Sequence, residues 1–265
     1  MTVRAIDPVA IDMSGRRALV TGAASGIGLS TARKFGRAGA SLILVDVDAP
    51  GLRRLEARLR RERIDVESQA VDLAERSGVA ELWTRVEARP PDVLVNNAGA
   101  YPMRDFLELD SQTVGRTLDL NLLSVLWMCQ RFISSRRRGG AIVNVSSVEA
   151  LVPFRDDLIP YSVAKAGVLA LTRSLAHAYG RSGVRVNAVI PGAIRTPGTD
   201  QLRRKAIRTL DIDLMRTGRR FETRLPLGRW GTADEVASVV LFLASDLASY
   251  VQGAAVPVDG GFLAS

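Results

Sequence analysis

Tyr161 and Lys165 stand four residues apart in Tyr161-Ser162-Val163-Ala164-Lys165, a spacing that puts a phenol and an ammonium on one helix face. A free phenol titrates near ~10, too high for an efficient base at neutral pH. A close ammonium favours the phenolate. The pair therefore suits proton exchange with a substrate oxygen, as acceptor in alcohol oxidation and donor in the reverse direction. Ser147, fourteen residues earlier at the end of an apolar run, is placed to hydrogen-bond the same oxygen.

A second constellation can hold a redox coenzyme. In Ala18-Leu19-Val20-Thr21-Gly22-Ala23-Ala24-Ser25-Gly26-Ile27-Gly28-Leu29, an apolar run ends at Gly22 and three glycines open a segment of helical periodicity. That order reads strand, tight turn, helix start, where unpaired N–H groups and the positive end of the helix dipole attract an anion. Glycine lets a pyrophosphate approach the backbone closely. Asp46, eighteen residues past Gly28, ends the next apolar run. A carboxylate there accepts hydrogen bonds from an adenosine ribose and repels a 2′-phosphate. Ser25, just before Gly26, offers no cation for that phosphate, so NAD is expected rather than NADP. Asp72 is expected to meet the adenine amino group.

These residues need a scaffold in which strands and helices alternate. Strands are expected at Arg17–Thr21, Ser41–Asp46, Val66–Val71, Asp92–Val95, Ala141–Val145, Val184–Ile190 and Ala254–Val258. Helices are expected at Ile27–Ala38, from Pro50 onward, at Val79–Ala88, Gln112–Ser134, Tyr161–Tyr179 and Ala233–Ala244. Ser41-Leu42-Ile43-Leu44-Val45 is apolar without a break after its first residue, the pattern of a parallel strand covered on both faces. No linker or repeat interrupts the alternation. The expectation is an α/β fold: one domain over 1–265 with a doubly wound (Rossmann) parallel sheet of about seven strands, 1–15 being a loose lead-in. Gly22, Asp46, Asp72, Asn97, Ser147 and Pro191 then fall on one rim, beyond the carboxyl ends of the strands, where such sheets bind ligands.

Composition narrows the classes. With 265 residues the chain can bury about 70–75% of its unfolded surface without a disulfide or metal staple. The net charge of +8 comes from arginines scattered over many expected helices, so nucleic acid is not expected as a partner. The single histidine, His177, lacks a carboxylate partner in sequence reach and leaves no basis for a serine–histidine–acid triad or a multi-histidine metal site. The single cysteine, Cys129, fits a reducing compartment. Met1–Met13 lacks the apolar core of a signal peptide, and no run reaches the eighteen or so apolar residues of a membrane helix. A cytoplasmic protein with no membrane partner is expected.

Thr21-Gly22-x-x-x-Gly26-Ile27-Gly28, Asn96-Asn97-Ala98-Gly99, Ser146-Ser147, Tyr161-x-x-x-Lys165, Pro191-Gly192 and Asp259-Gly260-Gly261 stand in the order used by one family. From about Arg16 to Phe262 the sequence resembles the short-chain dehydrogenase/reductase family. The resemblance implies a catalytic tetrad of Asn121, Ser147, Tyr161 and Lys165, the asparagine sitting in the long fourth helix and holding a water linked to the lysine. It implies cofactor contacts at Gly22, Ser25, Gly26, Ile27, Gly28, Asp46, Asp72, Leu73, Asn97, Ala98, Gly99, Tyr161 and Lys165. Pro191, Gly192, Ile194 and Thr196 complete the set around the carboxamide. It also implies a homotetramer that pairs the fourth and fifth helices and the last strands. Two departures stand out: Ala150 replaces a frequent glycine, and the Ser147–Tyr161 loop is one residue longer than is common.

The expected reaction is hydride transfer between NAD(H) and a secondary alcohol or ketone. A substrate lid is expected over about 197–228, where apolar residues such as Leu202, Leu214 and Phe221 alternate with arginines. Tyr101, Met103, Leu151, Val152 and Phe154 are further candidates to line an apolar pocket. Glu149, Asp156 and Asp157 are expected to be solvated, the other reading being an acidic lip that disfavours anionic substrates. A 3-oxoacyl-carrier-protein reductase is the rival enzyme, its acidic carrier docking on Arg136–Arg138 and Arg181. A catalytically silent, cofactor-sensing regulator is the rival of another class.

Overall fold

The computed structural model describes residues 11–136, 139–201 and 223–265. Seven parallel strands form one sheet in the order β3-β2-β1-β4-β5-β6-β9. They are β1 (Arg17–Thr21), β2 (Ser41–Asp46), β3 (Val66–Ala70), β4 (Val93–Asn96), β5 (Gly140–Val145), β6 (Val184–Pro191) and β9 (Ala255–Val258). The order reverses direction between β1 and β4, so a cleft opens at their carboxyl ends, the place where such sheets take ligands.

The two sheet faces follow from side-chain alternation. Ala18, Val20, Leu42 and Leu44 point to one face, against Phe35 of α1 (Gly26–Arg37) and Leu52, Leu55 and Leu59 of α2 (Ala49–Arg61). Val236 and Val240 of α7 (Ala233–Ala244) complete that layer. Leu19, Ile43, Val45, Leu94 and Ile142 point the other way, against α3 (Arg76–Val86), α5 (Ser124–Ser135) and α6 (Ile159–Tyr179). Each fully buried aliphatic side chain contributes about 1.5–3 kcal/mol, so β2 alone anchors the sheet strongly.

Three features depart from the expected elements. The helix foreseen over Gln112–Ser134 is α4 (Ser111–Leu118) running into α5 through a π-helical turn, Asp119–Leu123, which contains Asn121. The helix expected from Tyr161 begins at Ile159, because Pro160 fits a first helical turn that has no need of its N–H. The segment after β6, where no strand is expected before Ala254, holds a short parallel pair, β7 (Ile194–Arg195) with β8 (Gly231–Thr232). Most of the expected lid, including Leu202, Leu214 and Phe221, lies outside the described residues, as do Arg137 and Arg138.

Candidate active site

The glycine turn is clamped from below. Thr21 Oγ1 accepts hydrogen bonds from the N–H groups of Asn97 (2.9 Å) and Ala98 (3.0 Å), tying the ends of β1 and β4 together. Asn97 Nδ2 donates to the carbonyls of Thr21 (2.9 Å) and Gly22 (3.2 Å), so this side chain holds the turn in shape. Gly22 (φ +65°) and Gly26 (φ +54°) take left-handed backbone, and a Cβ at Gly28 would run into the Gly22 carbonyl. Ser25 precedes α1 without capping it, whereas Asp48 and Asp110 cap α2 and α4 through their side chains. The first turn of α1, with Ile27 in it, thus keeps free N–H groups at the place a pyrophosphate requires. These features fit a dinucleotide.

Asp46 closes β2 and braces the same turn: its carboxylate accepts from the N–H of Ala24 (2.9 Å) and of Asp48 (3.0 Å). Each oxygen keeps a lone pair for a ribose hydroxyl. Asp72 is more committed. One of its oxygens accepts from Ala74 N–H (3.0 Å) and the other pairs with Arg116 (2.8 Å), whose guanidinium holds the carboxyl below its ordinary range. Leu73 is buried among Ile43, Val45 and Val79, leaving its backbone for any ligand.

Ser147, Tyr161 and Lys165 meet beyond β5. Lys165 is 3% exposed, and its ammonium donates to the Val145 carbonyl (2.9 Å) and lies 5.7 Å from the Tyr161 ring centre. Ser146 Oγ donates to the Lys165 carbonyl (2.9 Å), fixing α6 on the strand end. The Ser147 hydroxyl accepts from the Glu149 N–H (3.2 Å) and sits close enough to the Tyr161 phenol to favour its anion. Burial pushes that phenol well above its ordinary value and brings the Lys165 ammonium down to about 8. Asn121 Nδ2 donates to the carbonyls of Ala100 (2.8 Å) and Thr117 (3.0 Å), while its Oδ1 is buried without a partner among the described residues. A Cβ on Gly99 would sit 2.6 Å from that oxygen and 3.5 Å from Lys165 Nζ. Gly99 therefore keeps open the space that Asn121 and Lys165 both face.

The far wall comes from the end of β6. Gly192 N–H donates to Val258 O (3.1 Å), and a Cβ at Gly192 would meet the Asp259 backbone at 2.8 Å, so the segments after Pro191 and Val258 pack tightly. Ile194 is buried, and the β7–β8 pair directs the chain back over the glycine turn. A Cβ on Gly26 would lie 3.3 Å from Thr196 Cγ2, which puts Thr196 opposite the start of α1.

Several side chains behave unlike their sequence neighbourhood. Tyr101 stacks edge-on against Tyr161, ring centres 5.8 Å apart. Phe154 turns onto Phe262 (5.8 Å), while Leu151 remains exposed. Glu149, expected to be solvated, is only 3% exposed, and burial raises its carboxyl to about 7. Asp157 pairs with Arg155 at 2.5 Å, so no row of free carboxylates lines this loop. Arg136, expected to be a docking group, points inward to Asp92 (2.9 Å) and to the carbonyls of Pro91 and Gly139 (2.8 and 2.9 Å). His177 is exposed on α6. Among the described residues no cluster of His, Cys, Asp or Glu could hold a metal, and no helix is long and apolar enough to cross a membrane.

A parallel sheet with a glycine turn at its switch point and a tyrosine–lysine pair beside it defines a nicotinamide-dependent oxidoreductase of the Rossmann type. The chain belongs to the short-chain dehydrogenase/reductase family. Residues 22–263 match a family model described as enoyl-(acyl carrier protein) reductase. The chain is 36% identical to a galactitol 2-dehydrogenase (L-tagatose-forming) of Cereibacter sphaeroides, over 94% of this chain and 96% of that protein. It is 34% identical to a 3-oxoacyl-[acyl-carrier-protein] reductase of Thermotoga maritima, over 95% of this chain and 99% of that protein. A gluconate 5-dehydrogenase from Burkholderia cenocepacia, solved with NADP and tartrate, superposes with TM-score 0.87 at 30% identity, covering 97% of this chain and 98% of that one. The chain is accordingly an oxidoreductase of alcohol and ketone substrates that uses a nicotinamide dinucleotide.

Proposed function

We propose that the chain moves hydride between NAD(H) and a secondary alcohol or ketone, with Tyr161 as general acid/base. The observation that carries this reading is the buried Lys165 ammonium 5.7 Å from the Tyr161 ring centre, with Ser147 beside the phenol. Ser147 polarises the substrate oxygen, Tyr161 gives or takes its proton, and Lys165 favours the phenolate. Asn121 Oδ1 and Lys165 Nζ face the space that Gly99 leaves open, and a water held there relays the proton. When bound, the nicotinamide supplies the hydride acceptor or donor. Gly22, Ser25, Gly26, Ile27, Gly28, Asn97, Ala98 and Gly99 floor its site. The backbone of Asp72 and Leu73 flanks the adenine, and Pro191, Gly192, Ile194 and Thr196 border the carboxamide.

NAD is proposed over NADP, although the gluconate 5-dehydrogenase was solved with NADP. Asp46 keeps a free lone pair on each oxygen for ribose hydroxyls, and its negative charge opposes a 2′-phosphate. Carrier-protein reduction is the second reading, favoured by the family model's description and the Thermotoga relative. The inward Arg136 removes one of the cations on which an acidic carrier was expected to dock. Residues 1–265 are proposed as one domain, with about 197–228 as the lid. A homotetramer fits exposed Leu107, Leu123 and Val163 around α4–α6, and Phe242 and Tyr250 on the approach to β9. Cys129, buried and raised to about 12, suits a reducing cytoplasm.

Fluorescence titration with NADH and NADPH, followed by absorbance assays on secondary alcohols, polyols and a 3-oxoacyl thioester, tests the reading. Tyr161→Phe is expected to abolish turnover and leave NADH binding within about twofold. Wild-type turnover in that variant would remove Tyr161 from the chemistry.

A further inference from the structure

Glu149 lies two residues past Ser147 at the start of the substrate-side loop, and its carboxyl is folded inward. Ser162, the residue after Tyr161, donates its hydroxyl to Glu149 Oε2 (3.2 Å), and the Phe154 backbone donates to the same carboxyl. Glu149 Oε1 is buried and has no hydrogen-bond partner among the described residues. An acid held in this way between the loop and the first turn of α6 is costly to ionise, because one of its oxygens has no partner to offset the loss of water.

We propose that Glu149 is a positioning residue that fixes the loop wall over Tyr161 and, when ionised, holds the phenol in its proton-donating form, poising the enzyme for carbonyl reduction. This rests on the reading of Tyr161 as the acid/base group. The charged and titratable groups around Glu149 are Arg155 and Asp157 in the loop and Tyr161 on α6, with Lys165 one turn beyond and Tyr101 across the Tyr161 ring. Arg155 is already engaged by Asp157, so it only partly offsets the Glu149 charge. Glu149 is hydrogen-bonded to the residue next to Tyr161, and a carboxylate there disfavours a second negative charge, adding to the burial that chiefly raises the phenol. Glu149 itself titrates at about 7, so its charge appears across the neutral range and is absent below it. The two groups then titrate as a coupled pair.

The test is Glu149→Gln, which keeps an acceptor for Ser162 and removes the charge. Tyrosinate ultraviolet absorbance is followed against pH in the NAD-saturated protein, with Tyr161→Phe as the blank that isolates Tyr161. The expected result is a fall in the Tyr161 midpoint by about one pH unit, or roughly tenfold more phenolate at a given pH. The rising limb of alcohol oxidation against pH should move down by the same amount. Glu149→Asp, which keeps the charge, should leave both midpoints near the wild-type value. A Glu149→Gln midpoint and limb equal to those of the wild type would overturn the proposal, as would equal displacement by Asp and Gln. A shifted tyrosinate titration in a chain that turns over no alcohol or ketone would sustain the coupling and defeat the functional reading instead.

Discussion

Replacing Lys165 with methionine should stabilise the fold while destroying the activity. The ammonium is 3% exposed, and among the described residues it has one hydrogen bond, to the Val145 carbonyl at 2.9 Å. Burial lowers its pKa from 10.5 to about 8. At about 1.4 kcal/mol per pH unit, that gap amounts to roughly 3 kcal/mol of folding free energy lost while the group is charged. Methionine has a similar length and no charge, but it leaves the Val145 carbonyl without its donor, a loss of about 1 kcal/mol. The net expectation is a gain of about 2 kcal/mol at neutral pH, or a Tm higher by about 4–8 °C.

The pH dependence gives the sharper check. Below about 8 both folded and unfolded wild-type chains carry the lysine proton, so the whole penalty is present. Between about 8 and 10.5 the unfolded chain binds more protons than the folded one, so wild-type stability rises with pH relative to the variant. The advantage of Lys165→Met should therefore be full at pH 7 and turn into a deficit of about 1 kcal/mol above 10.5, as read from paired denaturant melts. A variant less stable than wild type at neutral pH, or an advantage constant with pH, would refute the idea that a buried charge strains this site.

Two further substitutions probe the scaffold. Thr21→Val keeps the shape of a side chain that is 1% exposed but deprives Asn97 and Ala98 of their acceptor. A loss of about 1–3 kcal/mol in denaturant melts and weaker NADH binding are expected, with Thr21→Ser restoring both. Gly99→Ala needs no unusual backbone, yet its Cβ would press to 2.6 Å from Asn121 Oδ1. Turnover should fall by about tenfold or more through displacement of Asn121, with a stability loss of about 1–3 kcal/mol in denaturant melts that leaves the protein folded. A variant of wild-type rate would mean that the space beside Gly99 is idle.

Much of the site could be read from local sequence because its parts are punctuation. A buried parallel strand ends where a glycine, aspartate or asparagine turns the chain, so the ends of β1 and β2 coincide with expectation to the residue. The glycines at 22, 26 and 28 also announce themselves, since their use is a backbone geometry. What stayed hidden depends on distant partners. The sequence around Asp119–Leu123 has ordinary helical periodicity, and only its packing against α6 accompanies the wider turn. Glu149 reads as a solvated acid until Ser162 and the Phe154 backbone close over it. Arg136 belongs to a run of three arginines, yet Asp92, forty-four residues away, draws it inward. Local patterning cannot foresee such tertiary capture.

The π turn links two parts of the molecule that are otherwise separate. An α-helix advances about 100° per residue, so one residue more or fewer rotates everything downstream by that angle. Beyond the turn, Val125, Met128, Cys129 and Phe132 face the core, and inside it Asn121 faces Lys165. Deleting a single residue at 119–123 would let the helix run on regularly, but it would swing either the asparagine or the core stripe out of phase. Catalytic alignment and interior packing thus share one angular setting, and neither can drift without dragging the other.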